Sequence, residues 1–164
     1  MSEPDSQPKL PPVTPEAEEA GREQLAEYFG FAQHATITVG GETFTVTNEN
    51  LLSEEQQEAL DEVQAELRTF DHETVVIRNA ITNEVVIDPK TGEPLTERVL
   101  IEPHMKGGEL VKPNYWARRV KANLGEEAAK RYFELGGRSS EFRLTLSRMQ
   151  REFMKRVADD SKSG

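Results

Sequence analysis

The side chains best placed to do chemistry here are three histidines and thirty carboxylates, which would serve metal coordination or general acid–base transfer. None of the histidines sits in a ligand-like cluster. His34 precedes a strand-like run, His72 lies between Asp71 and Glu73, and His104 follows Pro103. Adjacent residues such as Asp71 and His72 lack the spacing that brings ligands to one ion. The chain has no cysteine, which excludes disulfides, zinc–thiolate sites and thiol nucleophiles. It carries no phosphate-binding glycine loop, nucleophile elbow or zinc-protease pattern. Carboxylate pairs are so common in an acidic chain that closeness in sequence singles out no acid and base. The residues therefore predict no enzyme, no cofactor and no metal.

Basic side chains raise a second chemistry, phosphate binding. Arg138, Arg143, Arg148, Arg151, Lys155 and Arg156 can line one helix. Against this, the net charge is -10 and the isoelectric point about 4.9, which repels polyanions at long range. Glu141 and Glu152 interrupt the stripe, and no aromatic and glycine interleaving of an RNA-binding sheet is present. A basic helix meeting an acidic protein partner, or the acidic N-terminal half of the same chain, fits better than nucleic acid. Residues 1–111 hold 7 Lys and Arg against 23 Asp and Glu, whereas residues 112–164 hold 13 against 7. That polarity points to a partner-binding end or to attraction within the fold.

The elements that must position these groups follow from punctuation and periodicity. With 164 residues, 30% charged, the chain suits one modest domain with tails. Five of nine prolines fall in the first fifteen residues, so residues 1–14 are expected to be a disordered tail. Thr14-Pro15 predicts an N-cap and first helical position, and Gly30 a stop after Phe29. Ala35–Val39, Gly40-Gly41 and Glu42–Thr47 predict a type I′ hairpin with Ile37 opposite Phe44 and Ala35 opposite Val46, threonines lining the other face. Ser53-Glu54-Glu55-Gln56 reads as a capping box opening an acidic helix with Leu60, Val63 and Leu67 inward, ending near Phe70-Asp71. Its outer face carries Glu54, Glu55, Glu58, Asp61, Glu62 and Glu66, as a solvated surface ordinarily does. Residues 74–77, 84–87 and 98–101 are β-branched runs that either extend the hairpin's sheet or form a flexible β arm.

The last third reads as helical. Asn114 opens a helix with Trp116, Val120 and Leu124 on one face, closed by Gly125 as a left-handed cap. A short helix follows with Ala128, Tyr132, Phe133 and Leu135, and a final helix from Ser139 or Ser140 repeats Phe142, Leu146, Met149, Phe153 and Val157. That stripe faces a core or a partner helix. Tyr115, Trp116, Tyr132 and Phe133 are expected to form a small core nucleated by the only tryptophan, with any exposed member a candidate hot spot. The fold expected is α+β: a small β-hairpin and sheet portion, a C-terminal helical module and a disordered N-terminal tail. The expected divisions are 1–14 tail, 15–111 acidic β-rich portion with helices, 112–158 basic helical module and 159–164 polar end. No apolar run is long enough to span a bilayer, and no signal peptide is evident, so a soluble cytoplasmic protein is expected.

Gly-Glu-Leu-Val-x-Pro at 108–113, an Arg-bearing helix, Leu-Gly-Glu-Glu at 124–127, the Tyr-Phe pair and Gly-Gly-Arg-Ser-Ser at 136–140 stand in this order. A Met-containing helix follows, ending in Asp-Asp-Ser-Lys-Ser. Together they resemble the tail assembly chaperones of long-tailed, siphovirus-type phages and prophages of actinobacteria. The likeness covers about residues 105–164 and is looser upstream. It implies a chaperone that binds the tape measure protein, keeps that long helical chain soluble and helps recruit tail tube subunits. It also implies action in the host cytoplasm, absence from the mature virion and, in many members, a longer form made by programmed frameshifting near the polar end. Partner binding is expected at Trp116, Tyr132, Phe133, Phe142, Met149 and Phe153, with Arg143 and Arg151. No nucleic acid or membrane partner is expected, and a homo-oligomer stays open. A structural tail or head-to-tail connector component, or a small helical interaction module, is the alternative.

Overall fold

The computed structural model describes residues 12–30 and 32–163, so all of the expected tail but its last three residues lies outside the described residues. The fold is α+β, with three separate two-stranded antiparallel sheets among the described residues. The chain forms two compact units, residues 1–55 with 132–164 and residues 56–131. This division does not coincide with the charge boundary at 111/112, because the final helix packs with the N-terminal hairpin.

In the first unit, helix α1 (Pro15–Phe29) begins where Thr14 accepts a hydrogen bond from the Ala17 amide, at 3.2 Å. It ends at Gly30 in the left-handed conformation, whose N–H bonds the Ala26 and Glu27 carbonyls. Strands β1 (His34–Val39) and β2 (Glu42–Thr47) pair in the expected register, Ile37 with Phe44 and Ala35 with Val46. The reason is local: Gly40 and Gly41 take φ of 57° and 80°, as a two-residue type I′ turn demands. The inward face gives the core Phe44 and Val46, while Thr38 and Thr43 meet on the outside at 3.3 Å. Asn48, buried after β2, donates to the Ala32 carbonyl and accepts from the Asn50 amide, fixing the exit from the hairpin.

Helix α5 (Ser139–Lys162) packs on both strands and sinks Phe142, Leu146 and Met149 into the core. It runs through Asp159 and Asp160, so residues 159–162 of the expected polar end continue the helix. Tyr132, fully buried, stands edge-on to Phe44 with centroids 5.3 Å apart. Its hydroxyl donates to the Arg138 carbonyl at 2.8 Å and accepts from the Arg138 amide at 3.1 Å. The start of α5 is therefore set by a buried tyrosine, and Arg138 occupies the N-cap without a side-chain bond.

In the second unit, helix α2, which starts in the first (Glu54–Leu67), buries Leu60 and stops three residues sooner than expected. Arg68, Thr69 and Phe70 each donate to the carbonyl three residues back, which tightens the last turn. Strands β3 (His72–Val76) and β4 (Thr96–Leu100) pair with each other and with no other strand. Between them residues 77–95 fold back as a small arm in which the 84–87 run makes only single bridges, Arg78 with Val85 and Ile87 with Pro94. Of the two expectations for these runs, a separate arm is found, but not as a flexible one: its turns are built by side chains, Asn79 Oδ1 accepting from the Ile81 and Thr82 amides and Asp88 Oδ1 from Lys90.

Strands β5 (Met105–Lys106) and β6 (Glu109–Leu110) close a turn at Gly107-Gly108 whose two amides donate to the two oxygens of Asp71, at 2.9 and 2.8 Å. Backbone bonds from Asp71 to Met105 and from Ile101 to Asp71 complete the base of the arm. The two amides hold the Asp71 carboxyl below the usual aspartate pKa. A depressed folded pKa means that this support is complete above the unfolded aspartate value and is lost as pH falls through the folded one. Asp71→Asn is thus expected to expose the Gly107 and Gly108 amides. Protection of these two amides, their exchange rate relative to the intrinsic rate at the same pH, should fall in the variant at neutral pH, and in the wild-type chain on acidification. Unchanged protection in both would refute the clamp.

Helix α3 (Tyr115–Leu124) begins at Asn114, which accepts from the Ala117 amide at 2.9 Å. Gly125 does stop it, but with φ 88° and ψ 162°, not in the left-handed helical conformation expected. The next helix, α4 (Glu126–Glu134), begins at the following residue, so the chain must turn to an extended ψ instead of curling into a cap. Helix α4 ends in the first unit, from Tyr132 onward.

Candidate partner-binding surface

The aromatic residues expected to form one core lie in different units: Tyr115 and Trp116 in the second, Tyr132 and Phe133 in the first. Trp116 does not nucleate the core, being only half-buried, and it is roofed by a cation. The Arg119 guanidinium lies 4.3 Å over its ring and 5.5 Å over Tyr115. Tyr115 meets His104, and His104 meets Phe70, at centroid distances of 5.8 and 5.7 Å. Arg118 covers Phe70, pairs with Glu66 and donates to the Pro113 carbonyl. Glu66 is held below the ordinary glutamate pKa chiefly by that hydrogen bond from Arg118. This ladder accounts structurally for Trp116, His104 and one member of the acidic face of α2. The other five acids of that face, Glu54 to Glu62, are exposed.

The stripe on α5 divides along its length. Tyr132, Phe142 and Met149 were expected to meet a partner, and their burial corrects this: all three are core side chains of the folded chain. The reason is the hairpin, whose Phe44 and Val46 need an apolar cover and take it from the first half of α5. Past Met149 the same stripe emerges, Phe153 half-buried and Val157 exposed. Phe133 is at the border of exposure, at 37%, and packs edge-on to Tyr132. Arg143 and Arg151 are both exposed on α5.

A second α5 face escapes a reading that follows only the strongest stripe. Leu144 and Met154 are 66% and 55% exposed, and Leu144, Arg148, Arg151 and Lys155 recur at three- and four-residue steps along the helix side away from Phe142. Their signal in the sequence is two large apolar residues out of phase with the Phe142–Met149 repeat. The face can offer two apolar anchors among cations, which suits an acidic, amphipathic helical partner. On the second unit, Val76 at the end of β3 and Ile81, Ile87 and Leu95 along the arm are exposed, Ile81 at 94%.

Among the described residues no three His, Asp or Glu side chains gather as a metal site, and His72 Nδ1 lies 2.7 Å from the Phe70 carbonyl. No described helix is long and apolar enough to cross a membrane. No protein-family model, curated protein or solved structure matches this chain.

Proposed function

We propose that the chain is a tail assembly chaperone of a siphovirus-type phage, binding the tape measure protein and helping to bring tail tube subunits to it in the host cytoplasm. The observation that carries the reading is the solvent face of α5, where Leu144 and Met154 stand open among Arg148, Arg151 and Lys155. A long helical client with apolar surface aggregates unless that surface is covered. An amphipathic helix anchored by its other face on a hairpin is a means of covering it. The net charge of -10 keeps the resulting complex soluble. The resemblance at residues 105–164 supports the same reading, although its motifs serve the fold directly: Gly107-Gly108 is the turn clamped by Asp71, and Gly137 lies against the Tyr132 ring.

One observation favours the second reading, a structural tail or connector component: the exposed apolar arm of residues 77–95 can join neighbouring subunits in a ring. Co-expression separates the two. A chaperone leaves the tape measure protein in the soluble fraction only when it is present, and is missing from purified particles. A ring component forms a stable closed oligomer alone and is retained in particles.

A further inference from the structure

Helix α1 has no fully buried residue among its fifteen; one face, with Glu18, Glu19, Arg22 and Ala26, is only half-buried. A helix of that length is marginal in water unless an apolar face is packed. Glu16, Glu23 and Glu27 form an exposed stripe at helical spacing with Tyr28, 82% exposed, at its edge, whereas Leu25, 49% exposed, lies on the other side of the helix. The helix holds five glutamates and one arginine, and Arg22 is already engaged by Glu18 and Glu19. Its exposed stripe is thus acidic with an apolar anchor at its edge.

Helix α5 offers the complement in shape and sign. Leu144 and Met154 stand open, and Arg148, Arg151 and Lys155 make no ion pair among the described residues. Both helices belong to the same compact unit, where Arg156 of α5 comes up to the end of α1: its Nη1 lies 2.6 Å from where a Cβ on Gly30 would be. Even so, neither apolar set is covered. Within one chain both sets face solvent; between two chains they can meet.

We propose that α1 of one copy docks along the solvent face of α5 of a second copy, Glu16, Glu23 and Glu27 on Arg148, Arg151 and Lys155, with Tyr28 at the edge of the acidic stripe against Leu144. A twofold arrangement closes the pair, since each copy gives one α1 and receives the other. The pairing goes beyond the chaperone reading and does not depend on who the client is. If the client also uses α5, as proposed above, it must displace α1, and the free chaperone keeps its own sticky face shielded.

The test is the solution mass of the full chain by sedimentation, without client, in low and high salt. The wild-type chain is expected near twice 18.5 kDa in low salt, weakening as salt screens the contact. The charge-reversed pairs Arg148→Glu with Arg151→Glu, and Glu23→Lys with Glu27→Lys, alter exposed positions only. Each is expected to retain its circular dichroism and to lose at least about tenfold in self-affinity. Mixed together they restore the dimer, because both junctions again join opposite charges. A monomeric wild-type chain in low salt, variants that dimerise like the wild type, or a mixture that stays monomeric would each overturn the pairing. Failure of the chaperone reading is seen elsewhere, as a client that stays insoluble.

Discussion

Replacing Phe142 with alanine is expected to remove about 3–5 kcal/mol of stability, the largest loss from any single truncation on α5. The side chain is fully buried at the first turn of the helix, near the place where Tyr132 fixes the start of α5 and where the hairpin brings Phe44 and Val46. A truncation there both forfeits transfer energy and leaves a cavity, because a hairpin held by a two-glycine turn and a helix begun at a buried hydroxyl have little freedom to collapse together. Denaturant unfolding followed by far-ultraviolet circular dichroism should show an earlier transition. The only tryptophan, Trp116, lies in the second unit, so its fluorescence gives a separate signal for that unit. An unchanged dichroism midpoint would mean that α5 is not held to the hairpin as described.

The second large effect comes from adding one methyl group. Gly137 has an ordinary backbone, so alanine meets no φ penalty there, yet a Cβ at 137 would lie 2.5–2.6 Å from three Tyr132 ring carbons. The ring cannot retreat: its hydroxyl is tied to both backbone groups of Arg138, and its edge faces Phe44. Gly137→Ala is therefore expected to destabilise the first unit by about 1–3 kcal/mol through overpacking. The control is Gly41→Ala, which meets open space but occupies φ 80° and so is strained by backbone alone. If Gly137→Ala were combined with Tyr132→Leu, the clash would vanish and part of the loss should be recovered beyond additivity. Strict additivity of the two changes, measured by thermal unfolding, would show that the contact is not what makes residue 137 glycine.

Much of this fold was legible in local chemistry. The cap at Thr14, the stop at Gly30 and the register of β1 with β2 all follow from residues within a few positions of one another, where backbone geometry leaves few choices. The helices of the last third were equally plain, because Asn114, Gly125 and Gly136 punctuate a strong 3.6-residue pattern. What local pattern cannot tell is which face of an amphipathic helix is spent inside the molecule. Phe142 and Met149 look like Phe153 and Val157 in sequence, and only the length of the hairpin decides where the cover ends. The candidate surface at Leu144 and Met154 was hidden for the same reason, lying out of phase with the stronger stripe. The Asp71 clamp on Gly107-Gly108 spans 36 residues, and no pairing rule at that separation exists to read it.

The ladder around Trp116 carries a similar lesson for electrostatics. Arg118 and Arg119 contribute to the basic balance of the last third, yet one lies over Phe70 and pairs with Glu66 and the other roofs Trp116. Formal charge thus overstates what the second unit presents outward. On α5 the charge is real surface charge, since Arg148, Arg151 and Lys155 have no such engagement among the described residues. That difference favours α5 over the helix that carries the tryptophan as the proposed partner-binding surface.

The most direct test of that placement is the amount of soluble tape measure protein recovered on co-expression with the wild-type chain and with Leu144→Asp, Met154→Asp. Both positions are exposed, so the variant should keep the circular dichroism of the wild type. If α5 is the client surface, losing two apolar anchors weakens binding by about 2 kcal/mol or more, roughly thirtyfold, and the client moves to the insoluble fraction. A folded variant that keeps the client as soluble as the wild type does would contradict the account.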